Sequence, residues 1–191
     1  MQLHKRDVID AATAILDDYG IADLTMRRLA RELNVTPGAL YWHVANKQEL
    51  LGAVADRILE PVGPVEGDWS ARIERLCIRL RDALLSHTDG AELVSASFAA
   101  GQSVAMHAIV AQLDDAAAEA GIPVGHAGSA ARTILYYVLG FTVDEQSRRQ
   151  WDSAGALPDG QPMLSLDPDL RFAFGLRLLV DGISVQVRAG T

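Results

Sequence analysis

Apolar residues recur at helical spacing along nearly the whole chain. Val8, Ala11, Ala12, Ile15, Leu16 and Tyr19 follow the i, i+3, i+4, i+7 rule and predict an amphipathic helix over 4–19, closed by Gly20. Thr25 stands where an N-cap is needed, and Met26, Leu29, Ala30 and Leu33 make the apolar face of a second helix. Asn34-Val35 is the connection. Thr36-Pro37 then restarts a short helix over about 37–44, with a capping hydroxyl and proline at the first helical position. In that helix Leu40 and Val44 face inward, while Gly38, Ala39, Tyr41, Trp42 and His43 are the more exposed set. Asn46 followed by Glu49 reads as a capping box opening a fourth helix that carries Leu50, Leu51, Val54, Ile58 and Leu59.

The stretch Pro61–Gly67 breaks the pattern with two prolines and two glycines, and the domain boundary is placed there, giving domains 1–60 and 61–191. Asp68 caps a helix over about 69–87 with Ile73, Leu76, Cys77, Leu80 and Leu84 on one face. A short segment 91–97, an alanine-rich helix 103–120 ending at Gly121 and a long apolar helix 127–150 follow. Residues 152–168 are rich in Gly, Pro and Asp and read as a loop. The last segment, 168–188, is ambiguous, because Phe172, Phe174, Leu176, Leu178 and Val180 alternate as in a strand. A lone strand after eight helices has no partner, so a helix is expected and the fold class is all-α: an N-terminal three-helix helix-turn-helix domain and a C-terminal helical domain. No internal repeat or low-complexity tract is evident.

Composition refines this picture modestly. Of the 191 residues, 49% are hydrophobic and 22% charged, the profile of a folded globular chain. No apolar run has the length of a membrane span, and MQLHKRDVID lacks an apolar leader core, so a cytoplasmic protein without membrane contact is expected. The single cysteine, Cys77, excludes an internal disulfide and reads as a small core residue.

Charge matters more. The net charge of −8 argues against a polyanionic partner, but its distribution does not. Residues 61–191 hold 10 Lys/Arg against 16 Asp/Glu, whereas 25–47 hold Arg27, Arg28, Arg31 and Lys47 against Glu32 alone. An acidic body with one basic edge presents only that edge to phosphates. A helix entering the DNA major groove reads bases with residues near its N-terminus. Gly38 and Ala39 are small enough for close approach, and Ala39 can meet a thymine methyl. Tyr41, Trp42 and His43 suit sugar and phosphate contacts. Thr25 and Arg27 at the start of the second helix, Thr36 and Pro37 at the start of the third, and Lys47 at the start of the fourth complete the expected DNA-binding set.

Residues 8–51, and above all LTMRRLARELNVTPGALYWHVANKQELL, resemble the DNA-binding domain of the tetracycline-repressor (TetR) family. The resemblance continues through Ala83–Gly90, Gly140–Gln146 and Phe174–Gly182. It implies a homodimer on a palindromic double-stranded DNA operator, held together by the long helix and the last helix of each copy as a four-helix bundle. It also implies a small-molecule pocket in each C-terminal domain, whose filling releases DNA.

The positions that hold a magnesium–tetracycline chelate in that family have changed. The register set by Ala83–Gly90 puts Gly63, Leu76, Leu80, Val94, Ser97 and Leu113 where histidines and other polar anchors are implied, with an acidic group kept only as Asp144. Burying a charged chelate without polar partners is costly. The expected inducer is therefore a hydrophobic small molecule, with no metal and no cofactor. The expected ligand-binding residues are Leu80, Val94, Ser97, Phe98, Met106, Leu113, Tyr137 and Asp144.

Plainer readings stand beside these. Each of the apolar pocket residues also reads as ordinary core. His107 and His126 read as surface or singly bonded histidines, Asp114-Asp115 and Asp144-Glu145 as solvated helix faces, and Trp151 as an anchor for the end of the long helix. Ser86, His87 and Asp89 have the letters of a catalytic triad without a nucleophile-elbow pattern, so no enzyme is expected. The resulting expectation is a ligand-responsive transcriptional regulator, most simply a repressor. A helical small-molecule-binding protein or enzyme without a DNA role, and an activator of the same fold, are the alternatives.

Overall fold

The computed structural model describes residues 3–155 and 167–189, with side chains to residue 187. Its regular structure is helical: α1 (Lys5–Tyr19), α2 (Met26–Glu32), α3 (Pro37–Leu40), α4 (Lys47–Leu59), α5 (Trp69–Leu85), α6 (Gly90–Ala99), α7 (Val104–Glu119), α8 (Val124–Ser153) and α9 (Pro168–Ala189). Among the described residues no helix is by itself long and apolar enough to cross a membrane. The Gly/Pro-rich loop expected over 152–168 lies mostly outside the described residues, and α8 runs on to Ser153.

Packing divides the chain into two compact units. One comprises residues 1–61 with 82–107, the other residues 62–81 with 108–191. In the first, Val8, Ala12, Ile15 and Leu16 of α1 are buried together with Leu24, Leu29, Leu40, Val44, Leu50 and Val54. Local rules fix the joints. Gly20 takes a positive φ at the end of α1, and its N–H is donated to Leu16 O at 2.8 Å. The Thr25 hydroxyl accepts from Arg28 N at 3.1 Å and starts α2. Asn34 stands in the left-handed region at φ 53°, while Val35 N donates to Ala30 O and Asn34 N to Arg31 O. That pair of bonds is a Schellman ending, so the α2–α3 turn is fixed by Asn34 rather than by glycine.

The same unit locks α4 to the turn between α6 and α7. Asp56 Oδ1 accepts from Ser103 Oγ at 2.7 Å and from Ala105 N at 2.9 Å, so a carboxylate of α4 caps α7. Gly52, one turn earlier, leaves room only for hydrogen: a Cβ there would overlap the backbone oxygen of Gln102. The would-be triad residues are each engaged elsewhere. Ser86 Oγ donates to Ala83 O, the His87 ring faces Asp17 at 3.0 Å, and Asp89 accepts from Ile21 N at 2.9 Å.

In the second unit, Asp68 caps α5 by accepting from Ala71 N at 2.9 Å, as its position predicts. Residues 62–67 are pinned by Arg79 donating to Val62 O and Pro64 O and by Val65 N donating to Gln112. In α9 the buried positions are Phe172, Leu176, Val180 and Ile183, whereas Phe174 and Leu178 are exposed. The i, i+4, i+8, i+11 spacing settles the ambiguous segment as helix. Cys77 is buried core, and burial pushes its thiol pKa up.

One expectation is corrected here. Asp144 is solvated and pairs with Arg148 at 3.1 Å, but Glu145 is not on a solvated face. Its side chain is 1% exposed and receives a bidentate pair from Arg81, with Nε to Oε2 and Nη2 to Oε1 both at 3.0 Å. Arg81 also reaches Asp169 at the start of α9 at 2.7 Å and lies 5.0 Å from the Phe172 ring centre. Burial works against the guanidinium's charge, and the Asp169 and Glu145 carboxylates outweigh it, so its pKa is raised. Arg149 is a further partner of Glu145. These contacts tie α5, α8 and α9 together.

Candidate nucleic-acid interface

The segment that turns from α2 into α4 carries the expected reading residues. Helix α3 is shorter than expected. It ends at Leu40, and Tyr41–His43 form a turn in which His43 N donates to Leu40 O at 2.8 Å. Two anchors hold the segment down, with Leu40 and Val44 fully buried. Tyr41 and Trp42 between them and Ala45 beyond them are exposed. Trp42 is 89% exposed and Tyr41 53%, an unusual outlay of aromatic surface for side chains with no packing role. Ala39 and His43 are half-buried, and Thr36, Pro37 and Gly38 are exposed. A Cβ on Gly38 would meet only the Thr36 hydroxyl, at 3.8 Å. Nothing within the protein requires glycine there.

The basic edge is sorted by the structure. Arg27 and Lys47 are exposed. Arg28 is withdrawn: its guanidinium pairs with Asp23 at 2.6 Å and lies 3.7 Å above the Tyr19 ring. Thr25 is exposed but spends its hydroxyl as an acceptor for the α2 cap, which leaves its O–H as a donor. At the start of α4, Asn46 Oδ1 accepts from Glu49 N at 2.8 Å, and Glu49 Oε2 accepts from Ala45 N at 2.7 Å, one residue before the Asn46 amide that a full capping box would use. The Ala45 amide, and Lys5 after it, hold the Glu49 carboxyl below the usual range. Lys47 is thereby presented from a rigid helix start. Small residues at the tip, exposed aromatics beside them and cations at flanking helix starts are what a protein needs to lie against a phosphate-lined groove.

The expected ligand-binding residues fall in both units. Val94, Ser97 and Met106 are buried in the first and Leu80 and Leu113 in the second. Phe98 is half-buried, with its ring 5.9 Å from that of His107, whose Nδ1 faces Ser103 O at 2.6 Å. Ser97 is 2% exposed, and its hydroxyl has no hydrogen-bond partner. The Tyr137 hydroxyl donates to Phe172 O at 2.8 Å, and its ring stacks on that of Phe172 at 5.5 Å and lies 5.8 Å from that of Phe141. Burial pushes that phenol pKa up. Asp144 lies exposed on α8 with Arg148. Among the described residues no cluster of His, Cys, Asp or Glu has the makings of a metal site. Arg81 and Glu145 are the residues that sequence reasoning misses.

The comparisons with known proteins agree with this geometry. Residues 8–54 match the family described as bacterial regulatory proteins, tetR family, and residues 60–156 match the tetracyclin repressor-like C-terminal domain. The chain is 32% identical over 197 residues to the tetracycline repressor protein class E of Escherichia coli, covering 95% of this chain and 90% of that one. The crystal structure of Mycobacterium smegmatis BioQ is similar at 63% identity and a TM-score of 0.90, covering 96% of this chain and 99% of that one. A crystal structure of BioQ with its double-stranded DNA operator is similar at 61% identity and a TM-score of 0.84, with the same coverage. The chain belongs to the TetR family of bacterial regulatory proteins and is a DNA-binding transcriptional regulator.

Proposed function

We propose that the protein is a cytoplasmic homodimeric repressor, without catalytic activity, that a hydrophobic small molecule releases from a palindromic operator. Residues 1–60 are the reading head and residues 61–191 bind ligand and pair the copies. The observation that carries this reading is the exposed Gly38-Ala39-Tyr41-Trp42 surface flanked by Arg27 and Lys47 in an otherwise acidic chain. Thr25, Thr36, Pro37 and His43 complete the DNA contacts, with Gly38 and Ala39 nearest the bases and the others on sugar and phosphate. The similarity to BioQ, solved with its own double-stranded operator, supports the same kind of partner here.

Three further observations support pairing. Exposed Tyr136 on α8 and Phe174, Leu178 and Val185 on α9 are apolar surface without cover. A groove of about 270 Å³ opens between these helices, lined by Ile134, Leu178, Leu179, Gly182 and Ile183 among others. A glycine inside a helix costs about 1 kcal/mol relative to alanine. Gly140 and Gly182 have only open space where a side chain would go, which suits the close approach of a second copy.

The ligand reading rests on the apolar character of Leu80, Val94, Met106 and Leu113 and on the aromatic side chains of Phe98 and Tyr137. The unpartnered Ser97 hydroxyl is a single hydrogen-bonding group for a mostly apolar compound. Asp144, exposed and paired with Arg148, is the weakest member of that set. The inducer needs no metal ion.

The test has two stages. The purified protein is assayed for binding to its own upstream DNA, and a thermal-shift screen of hydrophobic compounds then finds stabilising ligands. Hits are expected to release the DNA without magnesium. Compounds that stabilise the protein yet never change DNA affinity would overturn the ligand-responsive reading, and a strict magnesium requirement would overturn the hydrophobic one.

A further inference from the structure

His4, Lys5 and Arg6 follow one another at the start of α1, the end of a helix where the dipole disfavours cations. Asp7 offsets part of this by accepting from His4 N at 2.8 Å. Lys5 turns away from its own helix. Its ammonium donates to Glu49 Oε1 at 2.9 Å, across 44 residues of sequence. Glu49 is the third residue of α4, and its other oxygen holds Ala45 N, just before the Asn46 N-cap. The Lys5 ammonium is thus fixed beside the turn that leads from Trp42 to Lys47. Arg6, whose side chain is 82% exposed, extends the cationic edge outward, with a 3.6 Å contact to Asp10.

Stability gives little reason for this arrangement. Both partners of the Lys5–Glu49 pair are more than a third exposed, and pairs of that kind contribute little. Glu49 already has its structural partner in Ala45. An ammonium carries three donors, and the Lys5–Glu49 hydrogen bond occupies one.

We propose that the first turn of α1 belongs to the DNA interface, with Lys5, held in place by Glu49, donating to a backbone phosphate of the operator. The proposal rests on the reading of Gly38–Lys47 as the DNA-facing surface and extends it to a residue far away in sequence. The contact positions the protein and carries no base information. Glu49 acts as a positioning residue: it sets the Lys5 ammonium and the Ala45–Lys47 turn on one edge.

The test compares the full-length protein with Lys5→Ala and Lys5→Arg by fluorescence anisotropy on the upstream duplex, from about 50 to about 200 mM salt. Removing one cation from a phosphate lowers the slope of log K against log salt by about 0.9. Removing one from each of two copies lowers it by about 1.8, so the advantage of the wild type over Lys5→Ala narrows about twelvefold across that range. Lys5→Arg keeps the wild-type slope, and the preference among operator variants is the same for all three proteins. If Lys5→Ala shifts the thermal midpoint but leaves the slope unchanged, Lys5 is merely structural and the proposal fails. Absent or salt-insensitive binding by the wild type would instead overturn the DNA-facing reading itself, and this proposal with it.

Discussion

Replacing Arg81 with methionine removes the cation that Glu145 is buried against. The Arg81 and Glu145 side chains are only 7% and 1% exposed, so the loss leaves a carboxylate in a site built for an ion pair. Removing one partner of such a pair costs about 3–5 kcal/mol. The lower end applies here, because Arg149 remains beside Glu145 with its own side chain half in water. Asp169 loses a partner too, but at 79% exposure water replaces it at little cost. For a chain of this size each kcal/mol moves the thermal midpoint by roughly 2–4 °C, so Arg81→Met is expected to lower it by about 6–12 °C. Replacing both partners, Arg81→Met with Glu145→Met, exchanges the pair for apolar volume and is expected to recover most of the loss. Denaturant unfolding at one fixed protein concentration, analysed as a double-mutant cycle, measures this coupling without mixing in self-association. A single-variant cost under about 1 kcal/mol, or a double variant worse than either single one, would refute the assignment of a buried ionic tie.

Three other outcomes follow from local geometry. Gly52→Ala forces a Cβ into the Gln102 backbone and is expected to destabilise by about 1–3 kcal/mol, with α4 displaced; a neutral effect in denaturant titration would contradict that packing. Ser97→Ala removes a buried hydroxyl with no partner, so the ligand-free protein gains about 1 kcal/mol while affinity for a thermal-shift hit falls; unchanged affinity would remove Ser97 from the ligand site. Glu49 has a lowered pKa, so its contribution to stability is present above the ordinary glutamate value of 4.5 and is lost as pH falls through the lowered one. Unfolding curves of Glu49→Gln and wild type are therefore expected to differ at neutral pH and converge in acid, and a constant gap across that range would argue against the capping role.

Much of the fold is legible in the sequence because each helix carries its own local signals. Thr25, Asn46 and Asp68 cap where the pattern says they do, and Gly20 stops α1. The last segment is harder because Phe172–Val180 fits both periods, and only burial of Phe172, Leu176, Val180 and Ile183 distinguishes them. Helix α3 falls short of Val44 because its apolar anchors are satisfied by a turn, which periodicity does not separate from another helical turn. The Arg81–Glu145 tie is missed for a different reason: its partners are 64 residues apart, and adjacent acids read as a wet face. A signal did exist, since Glu145 continues the buried stripe of Val138 and Thr142 at helical spacing. In the candidate interface the sequence separates small, aromatic and basic residues well. It does not tell that Arg28 is taken up by Asp23 and Tyr19, or that Lys5 reaches Glu49, since both depend on the third dimension.

The central claim is that the exposed surface around Trp42 reads DNA. It is tested most directly by measuring binding of wild type and Trp42→Ala to the protein's own upstream duplex and to a scrambled duplex of equal length, across a salt titration. The wild type should bind the upstream duplex more tightly, with log K falling linearly as log salt rises. Trp42→Ala should bind more weakly at an unchanged thermal midpoint, because the 89% exposed ring supports no packing. Equal affinity of the wild type for both duplexes at every salt concentration, or no loss of binding in Trp42→Ala, would contradict it.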